Sequence, residues 1–139
     1  MKISLHPSRS HCVMRVADLS ARAFDGKTMR DDLDDAIVDM GAMLGILSED
    51  VIIAAMRRID IDPNDAPQSD DQAPLPQAFL DAVLRLAHLG SRYFDGESDA
   101  MEVDQLIVVI GEMSCNAGSD IVMCARRRLR DASFTPRLE

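Results

Sequence analysis

A run of acidic residues between positions 31 and 39 is the part of this sequence best suited to chemistry. Asp32, Asp35 and Asp39 recur at spacings of three and four, so a helix would place their carboxylates on one face. Aligned carboxylates are hard oxygen ligands of the kind that Mg²⁺ requires, and a bound Mg²⁺ would hold the phosphates of a nucleotide. Two other interpretations stay open: acids that complement a helix dipole on a solvated face, and a docking face for another protein.

Arginines gather near the ends of two predicted helices. One group is Arg57 and Arg58, and a denser one lies between positions 126 and 130. Cations near a helix C-terminus stabilise the helix, which explains both groups without a function. The alternative is that the denser group docks an acidic protein or a phosphate, because guanidinium groups suit planar oxyanions. Together with two methionines that could belong to an adaptable surface, the candidate partner-binding residues are Arg126, Arg127, Arg128, Arg130, Met43 and Met113.

The sequence gives little support for a zinc site or for a catalytic cysteine. Cys12, Cys115 and Cys124 form no C-x-x-C pair, and no H-x-x-x-H motif occurs. Neither a zinc site nor a Cys-His nucleophilic site is therefore predicted. A glycine-rich phosphate loop and a G-x-S-x-G motif are also missing. An odd cysteine count in a chain of this size favours reduced thiols and a cytoplasmic location.

The charge of the chain restricts its partners. The sequence has 139 residues, the length of one domain, with 15 Lys plus Arg against 24 Asp plus Glu and a net charge of -9. A phosphate backbone or an anionic membrane must be met by a dense basic face, so direct nucleic-acid or membrane binding is not expected. A basic protein partner fits better. The longest dense apolar run, 106–110, is far too short to span a bilayer.

An internal repeat organises the chain. When residues 11–60 are laid over residues 81–130 without gaps, about a third of the positions are identical. The run Phe24-Asp25-Gly26, for example, meets Phe94-Asp95-Gly96. We interpret the match as a tandem duplication. Two residues that this 70-residue shift superimposes are called counterparts.

Each repeat reads as three helices. Apolar residues at helical spacing predict helices at about 10–25, 28–44 and 48–59, and in the second copy at about 76–94, 98–115 and 119–132. Thr28 and Ser48 are the expected N-caps, and Gly26 should end the first helix. The prediction is an all-α, six-helix bundle in one domain, with repeats 10–60 and 76–132 joined by an acidic, proline-rich connector at 61–75. Residues 2–5 could form an extended arm.

Two expectations concern packing inside this bundle. Gly41 and Gly111 lie within the second helix of each repeat, where glycine is unfavourable, so we expect them to mark a close crossing of the two second helices. The alternative is packing against another helix of the same repeat. Arg22 precedes Asp25 by three residues, which predicts an ion pair at that turn and an equivalent pair in the second repeat.

A stretch of the first repeat resembles a known family. Residues 31–37 (DDLDDAI), then Leu44-Gly45-Ile46 and Ser48-Glu49-Asp50-Val51, are similar to the later half of the MazG-like all-α nucleoside triphosphate pyrophosphatases. The resemblance covers about residues 28–58, and it implies a Mg²⁺-dependent nucleotide site on the acidic helix. The family's other acidic motif, E-x-x-E on the preceding helix, is reduced here to Asp18. In the second repeat the acidic stripe reads Glu102, Gln105 and Val109.

These observations favour a non-enzymatic helical module that binds another protein, such as a host protein contacted by a phage- or plasmid-encoded regulator, inhibitor or adaptor. No cofactor is expected on this interpretation. The first alternative is a divergent MazG-like pyrophosphatase, or a nucleotide-binding relic, with Mg²⁺ held by the acidic stripe. The second is an acidic mimic of nucleic acid. A homodimer formed through a leftover apolar face is also expected.

Overall fold

A computed structural model describes residues 3–62, 64 and 74–134, and in these ranges the chain is all helix and loop. The predicted all-α helical bundle is confirmed. Its helices are α1 (Pro7–Ala23), α2 (Arg30–Leu44), α3 (Asp50–Arg58), α4 (Gln77–Tyr93), α5 (Ala100–Met113) and α6 (Asp120–Phe134). Each helix of the second half, α4 to α6, begins 70 residues after its counterpart in the first half, α1 to α3. The duplication itself stays a prediction, and most of the connector lies outside the described residues.

The first helices of the two halves form the centre of the bundle. α1 packs on α4, while α1 also contacts α5 and α6, and α4 also contacts α2 and α3. This reciprocal pattern is what a two-fold arrangement of the halves produces. Counterpart side chains fill the core on both sides, since Val13 and Val16 on α1 are as fully buried as Val83 and Leu86 on α4. Apolar burial of this kind is the main favourable term in folding.

A close contact between the halves lies at Ser20 and Gly90, which are counterparts on α1 and α4. A Cβ atom on Gly90 would collide with the Ser20 hydroxyl and would lie 3.0 Å from the Ser20 Cβ. The Ser20 hydroxyl is buried and has no hydrogen-bond partner among the described residues. In a two-fold arrangement, a residue can meet its own counterpart only near the axis. At this contact there is room for the side chain of Ser20 but not for a second side chain at position 90.

The expected crossing of α2 with α5 is wrong, because these helices do not approach each other. A Cβ atom on Gly41 would lie 2.7 Å from Ile52 Cγ2, and one on Gly111 would lie 3.0 Å from Val122 Cγ1. Each glycine therefore makes room for a β-branched side chain on the third helix of its own half. Ile52 and Val122 are themselves counterparts, so the same glycine contact occurs in both halves.

The helix ends differ from the predicted caps at two positions. The N-cap of α2 is Met29 and that of α3 is Glu49, neither with a side-chain cap bond. Thr28 is buried and instead donates its hydroxyl to the Leu19 carbonyl at 2.8 Å, which ties the turn back onto α1. Gly26 follows α1 with a φ of +71°, a backbone conformation that favours glycine, so it supplies the left-handed turn that was expected.

The N-terminal residues lie against the second half. Ile3 donates its backbone N–H to the carbonyl of Met113 at the end of α5, and Ile3 and Leu5 pack on the core. Residues 3–6 form no strand. Within the described ranges, no helix combines the length and the apolar character that crossing a membrane requires.

Candidate functional site

The acidic face of α2 is closed by an arginine from α1. Arg15 Nη1 lies 3.2 Å from Asp39 Oδ2, and Arg15 Nη2 lies 3.6 Å from Asp35 Oδ2. Asp32 is exposed one turn earlier. Over residues 3–62, 64 and 74–134, no group of three or more His, Cys, Asp or Glu side chains comes close enough together to hold a metal ion. The magnesium site at Asp32, Asp35 and Asp39 stays a prediction, and a guanidinium already satisfies two of its three proposed ligands.

The pKa values on this face follow from burial and charge. Partial burial raises the pKa of the Asp39 carboxyl, the nearby Asp35 charge raises it further, and Arg15 opposes both effects. Burial and the Asp39 charge also raise the pKa of the Cys12 thiol. A cysteine nucleophile needs the opposite shift, because the thiolate is the reactive form. Cys12 is therefore a poor nucleophile.

Asp34, the third acid of the run, is buried. Asp34 is 1% exposed and accepts two hydrogen bonds from Arg58, from Nε and Nη2, each at 2.9 Å. Arg58 Nη2 also donates to Ser91 Oγ on α4 at 2.8 Å. In the second half, Arg128 holds Asp104 with the same two groups at 3.1 and 2.9 Å. Both pairs are 24 residues apart in the chain, and we call them the Arg-Asp clasps.

The predicted ion pair of Arg22 with Asp25 is wrong in both halves. Arg22 Nε donates to Asp18, one turn earlier on α1, at 2.9 Å. In the second half Arg92 pairs with Glu97. In the first half the reason is geometric, since Asp18 lies four residues from Arg22 on the same helix face, whereas Asp25 lies beyond the helix end. In the second half His88 stands in place of Asp18, and the arginine pairs beyond the helix end instead.

The candidate partner-binding residues lie in two regions. On α6, Arg128 belongs to a clasp, Arg126 Nη2 lies 2.6 Å from Glu112 Oε1, and Arg127 and Arg130 are exposed. Two of the four arginines are thus already paired with carboxylates of α5. Their role in binding a partner stays a prediction.

The two candidate methionines are half-buried at the ends of α2 and α5. The Met43 carbonyl accepts a hydrogen bond from Arg9 Nε at 3.0 Å, and the Met113 carbonyl accepts one from Ile3. Their backbone groups therefore help to hold the N-terminal segment. Whether their side chains also bind a partner stays a prediction.

Two open clefts lie at equivalent places where the two halves of the bundle meet. Cleft 1 lies between α1 and α6, with a volume of about 310 Å³, and cleft 2 lies between α4 and α3, with a volume of about 280 Å³. Cleft 1 is lined by Asp18, Ala21, Arg22, Asp25, Lys27, Asp120, Ile121, Cys124 and Arg128. Cleft 2 is lined by His88, Ser91, Arg92, Asp95, Asp50, Val51, Ala54 and Arg58. Every residue of cleft 2 is the counterpart of a residue of cleft 1.

The shared chemistry of the clefts is two arginines, two aspartates and one apolar side chain. The apolar position is Ile121 in cleft 1 and Val51 in cleft 2. Pockets for drug-sized ligands span roughly 300–1,000 Å³, so these clefts are at the lower limit and suit a side chain better than a cofactor. The clefts are the candidate functional site.

Sequence reasoning did not predict the clefts, although part of the signal was present. Asp25 lies in the turn after α1. Asp18 and Arg22 recur at helical spacing on α1, as do Asp120, Cys124 and Arg128 on α6. Each helical set therefore had to share a face. Only the packing of one half on the other brings the two faces together, and that packing is tertiary.

His88, which lines cleft 2, makes the stability of the fold depend on pH. Partial burial lowers the pKa of this imidazole, and the charges of Arg92 and Arg85 lower it further. The unfolded chain then binds more protons than the folded one. The free energy of unfolding is therefore at its full value above the ordinary histidine pKa of about 6.5 and decreases as the pH falls below it. We expect His88→Gln to reduce the drop in melting temperature between about pH 7.5 and pH 5.5.

The control for this measurement is His11→Gln, at an exposed position of α1. An equal drop in melting temperature for the wild type and His88→Gln would contradict the assignment.

Comparison of the chain with protein-family models, with curated proteins and with solved structures gives no match.

Proposed function

We propose that this protein is a non-catalytic helical interaction module, a regulator, inhibitor or adaptor that binds another protein. The main support for this proposal is that two clefts have the same lining. Each contains two arginines, two aspartates and one apolar side chain at counterpart positions. Two equivalent clefts of side-chain size suit the recognition of a protein surface, where a few anchoring residues supply most of the binding energy.

The state of the ionisable groups supports this proposal over an enzyme. A metal-dependent hydrolase needs carboxylates that converge on one cation. Arg15 instead bridges Asp35 and Asp39, and Asp34 is turned into the core by Arg58. These carboxylates contribute to helix packing, which is a structural use of the acidic run.

A second candidate function is the nucleic-acid mimic. The observation that favours it is the exposure of Asp31, Asp32, Asp35 and Asp39 along α2. Such a face would occupy the basic groove of a nucleic-acid-binding protein. Its binding would weaken steeply with salt and would be competed by duplex DNA, because both ligands depend on the same basic residues.

The enzyme alternative is tested directly. We expect the purified chain, incubated with Mg²⁺ and each common nucleoside triphosphate, to release no pyrophosphate and to show no rise in melting temperature. Asp35→Ala should behave identically in both measurements. Hydrolysis by the wild type that is abolished in Asp35→Ala would overturn the proposal in favour of a MazG-like pyrophosphatase.

The interaction is tested by affinity capture from a native lysate, with identification by mass spectrometry. We expect one partner protein to be enriched reproducibly and to form a complex with this chain when both proteins are purified. The matched control is the same chain with the aspartates of both clefts, Asp25, Asp120, Asp50 and Asp95, replaced by asparagine.

A further inference from the structure

The arginines of both clefts are already committed to carboxylates of their own chain. Arg128 donates to Asp104 and Arg58 donates to Asp34 in the two clasps. Arg22 donates to Asp18, and Arg92 pairs with Glu97. An anionic ligand would have to displace one of these pairs. The clefts are therefore poorly prepared for a phosphate or an acidic peptide.

The aspartates of the clefts are much less committed. Asp25 and Asp120 in cleft 1, and Asp50 in cleft 2, form no direct ion pair with any residue that the structure describes, and the charge of Asp25 acts on Arg22 and Arg128 only at longer range. Asp95 in cleft 2 lies 3.4 Å from Arg30 Nη1, and both side chains of this pair are partly exposed. Each cleft thus offers carboxylate oxygens on two sides, one from the start of its third helix and one from the turn after its first helix.

The remaining lining suits the stem of a long basic side chain. Ile121 with Ala21 in cleft 1, and Val51 with Ala54 in cleft 2, give apolar contact area beside the carboxylates. Lysine and arginine bury their methylene stems on apolar surface while the charged head meets polar groups. The net charge of -9 adds a long-range attraction for a basic partner.

From this arrangement we infer that each cleft takes a lysine or arginine side chain of the bound protein, so that one chain holds two basic side chains at equivalent places. The inference rests on the proposed function and adds the chemistry of the contact. The cationic head lies between the two aspartates, and the stem lies on the apolar position. Lys27 lines cleft 1 alone, so its charge opposes a cation there and leaves cleft 2 unaffected.

The test uses the full chain, labelled with ¹⁵N, and the peptide acetyl-Ala-Arg-Ala-amide as the probe. The control probe carries citrulline, the neutral isostere of arginine, at the same position. We expect amide shifts at the residues lining both clefts with the arginine peptide, and none with the citrulline peptide. Shifts confined to residues 31–39, or equal shifts with both peptides, would overturn the inference.

Matched variants separate the clefts. Asp25→Asn with Asp120→Asn should weaken binding at cleft 1 by at least about tenfold while cleft 2 is unchanged, and Asp50→Asn with Asp95→Asn should do the reverse. Asparagine keeps the shape of aspartate, and an unchanged spectrum away from the cleft confirms the fold. Lys27→Ala should strengthen binding at cleft 1 only. Unchanged affinity in both double variants would contradict the inference.

The inference and the proposed function fail in different ways. If a captured partner binds the chain with all four aspartates replaced as tightly as it binds the wild type, the clefts are not the contact, yet the chain is still an interaction module. If nucleotide hydrolysis is observed, the proposed function falls whatever the peptide does.

Discussion

Asp34→Asn is expected to lower the free energy of unfolding by about 3 kcal/mol, because it leaves the partly buried guanidinium of Arg58 without the buried carboxylate that it binds. Asp34 is 1% exposed in its side chain and Arg58 is 28% exposed. The guanidinium joins three helices, since it lies on α3, holds Asp34 on α2 and donates to Ser91 on α4. Urea denaturation of the variant and the wild type measures the difference.

Two further aspartates provide a graded comparison. Asp104→Asn breaks the second clasp, but the Arg128 side chain is 45% exposed and can recover hydration, so a loss of about 1 kcal/mol is expected. Asp32→Asn, at an exposed position of α2, should change stability by no more than about 0.5 kcal/mol. Equal effects of Asp34→Asn and Asp32→Asn would show that the first clasp does not hold the helices together.

A double-mutant cycle separates the pair from its surroundings. Asp34→Asn with Arg58→Gln removes both charges at once, so neither is left enclosed alone. We expect the double variant to be more stable than the sum of the two single losses predicts, by about 1 kcal/mol or more. Additive losses would mean that the two side chains contribute independently.

The clasps show where the sequence was sufficient for a correct prediction and where it was not. The helices themselves followed from apolar spacing and glycine turns, and α2 and α4 end within two residues of the predicted positions. Asp34, in contrast, was grouped with four exposed acids, because residue type alone does not tell a buried carboxylate from a solvated one. Asp34 and Arg58 both have identical counterparts, Asp104 and Arg128, and the same spacing in both repeats was a usable signal.

The contacts between the halves required the structure. Gly41 and Gly111 were expected to face each other, since a glycine inside a helix indicates a close neighbour but not which neighbour. The neighbour lies in the same half, Ile52 or Val122, whereas Gly90 is the glycine of the three that lies at a contact between the halves. Nothing in the pattern of Gly90 distinguishes it from the other two. Sequence spacing fixes the face of a helix, and the packing of all six helices fixes its partner.

Gly90→Ala is expected to destabilise the protein by about 2 kcal/mol, although alanine is the better helix former by about 1 kcal/mol. The new Cβ would lie 3.0 Å from the Ser20 Cβ and 3.3 Å from Leu33 Cδ2, besides colliding with the Ser20 hydroxyl. Rotation of Ser20 can move its hydroxyl away but cannot move its Cβ. The central helices α1 and α4 must therefore separate, and tightly packed interiors resist such a shift.

The second substitution that tests this contact is Ser20→Gly, because it exchanges the small residue between the counterparts. It removes the Cβ that collides and also removes a buried hydroxyl that has no partner among the described residues. We expect Gly90→Ala in the Ser20→Gly background to be within about 1 kcal/mol of the wild type, so that the second change rescues the first.

Gly118→Ala, at a position with nothing within 4 Å of an added Cβ, is the control and should be neutral. If Gly90→Ala is as stable as the wild type, or if Ser20→Gly fails to rescue it, then α1 and α4 do not meet at these counterparts, and the reciprocal arrangement that creates the two clefts would be wrong as well.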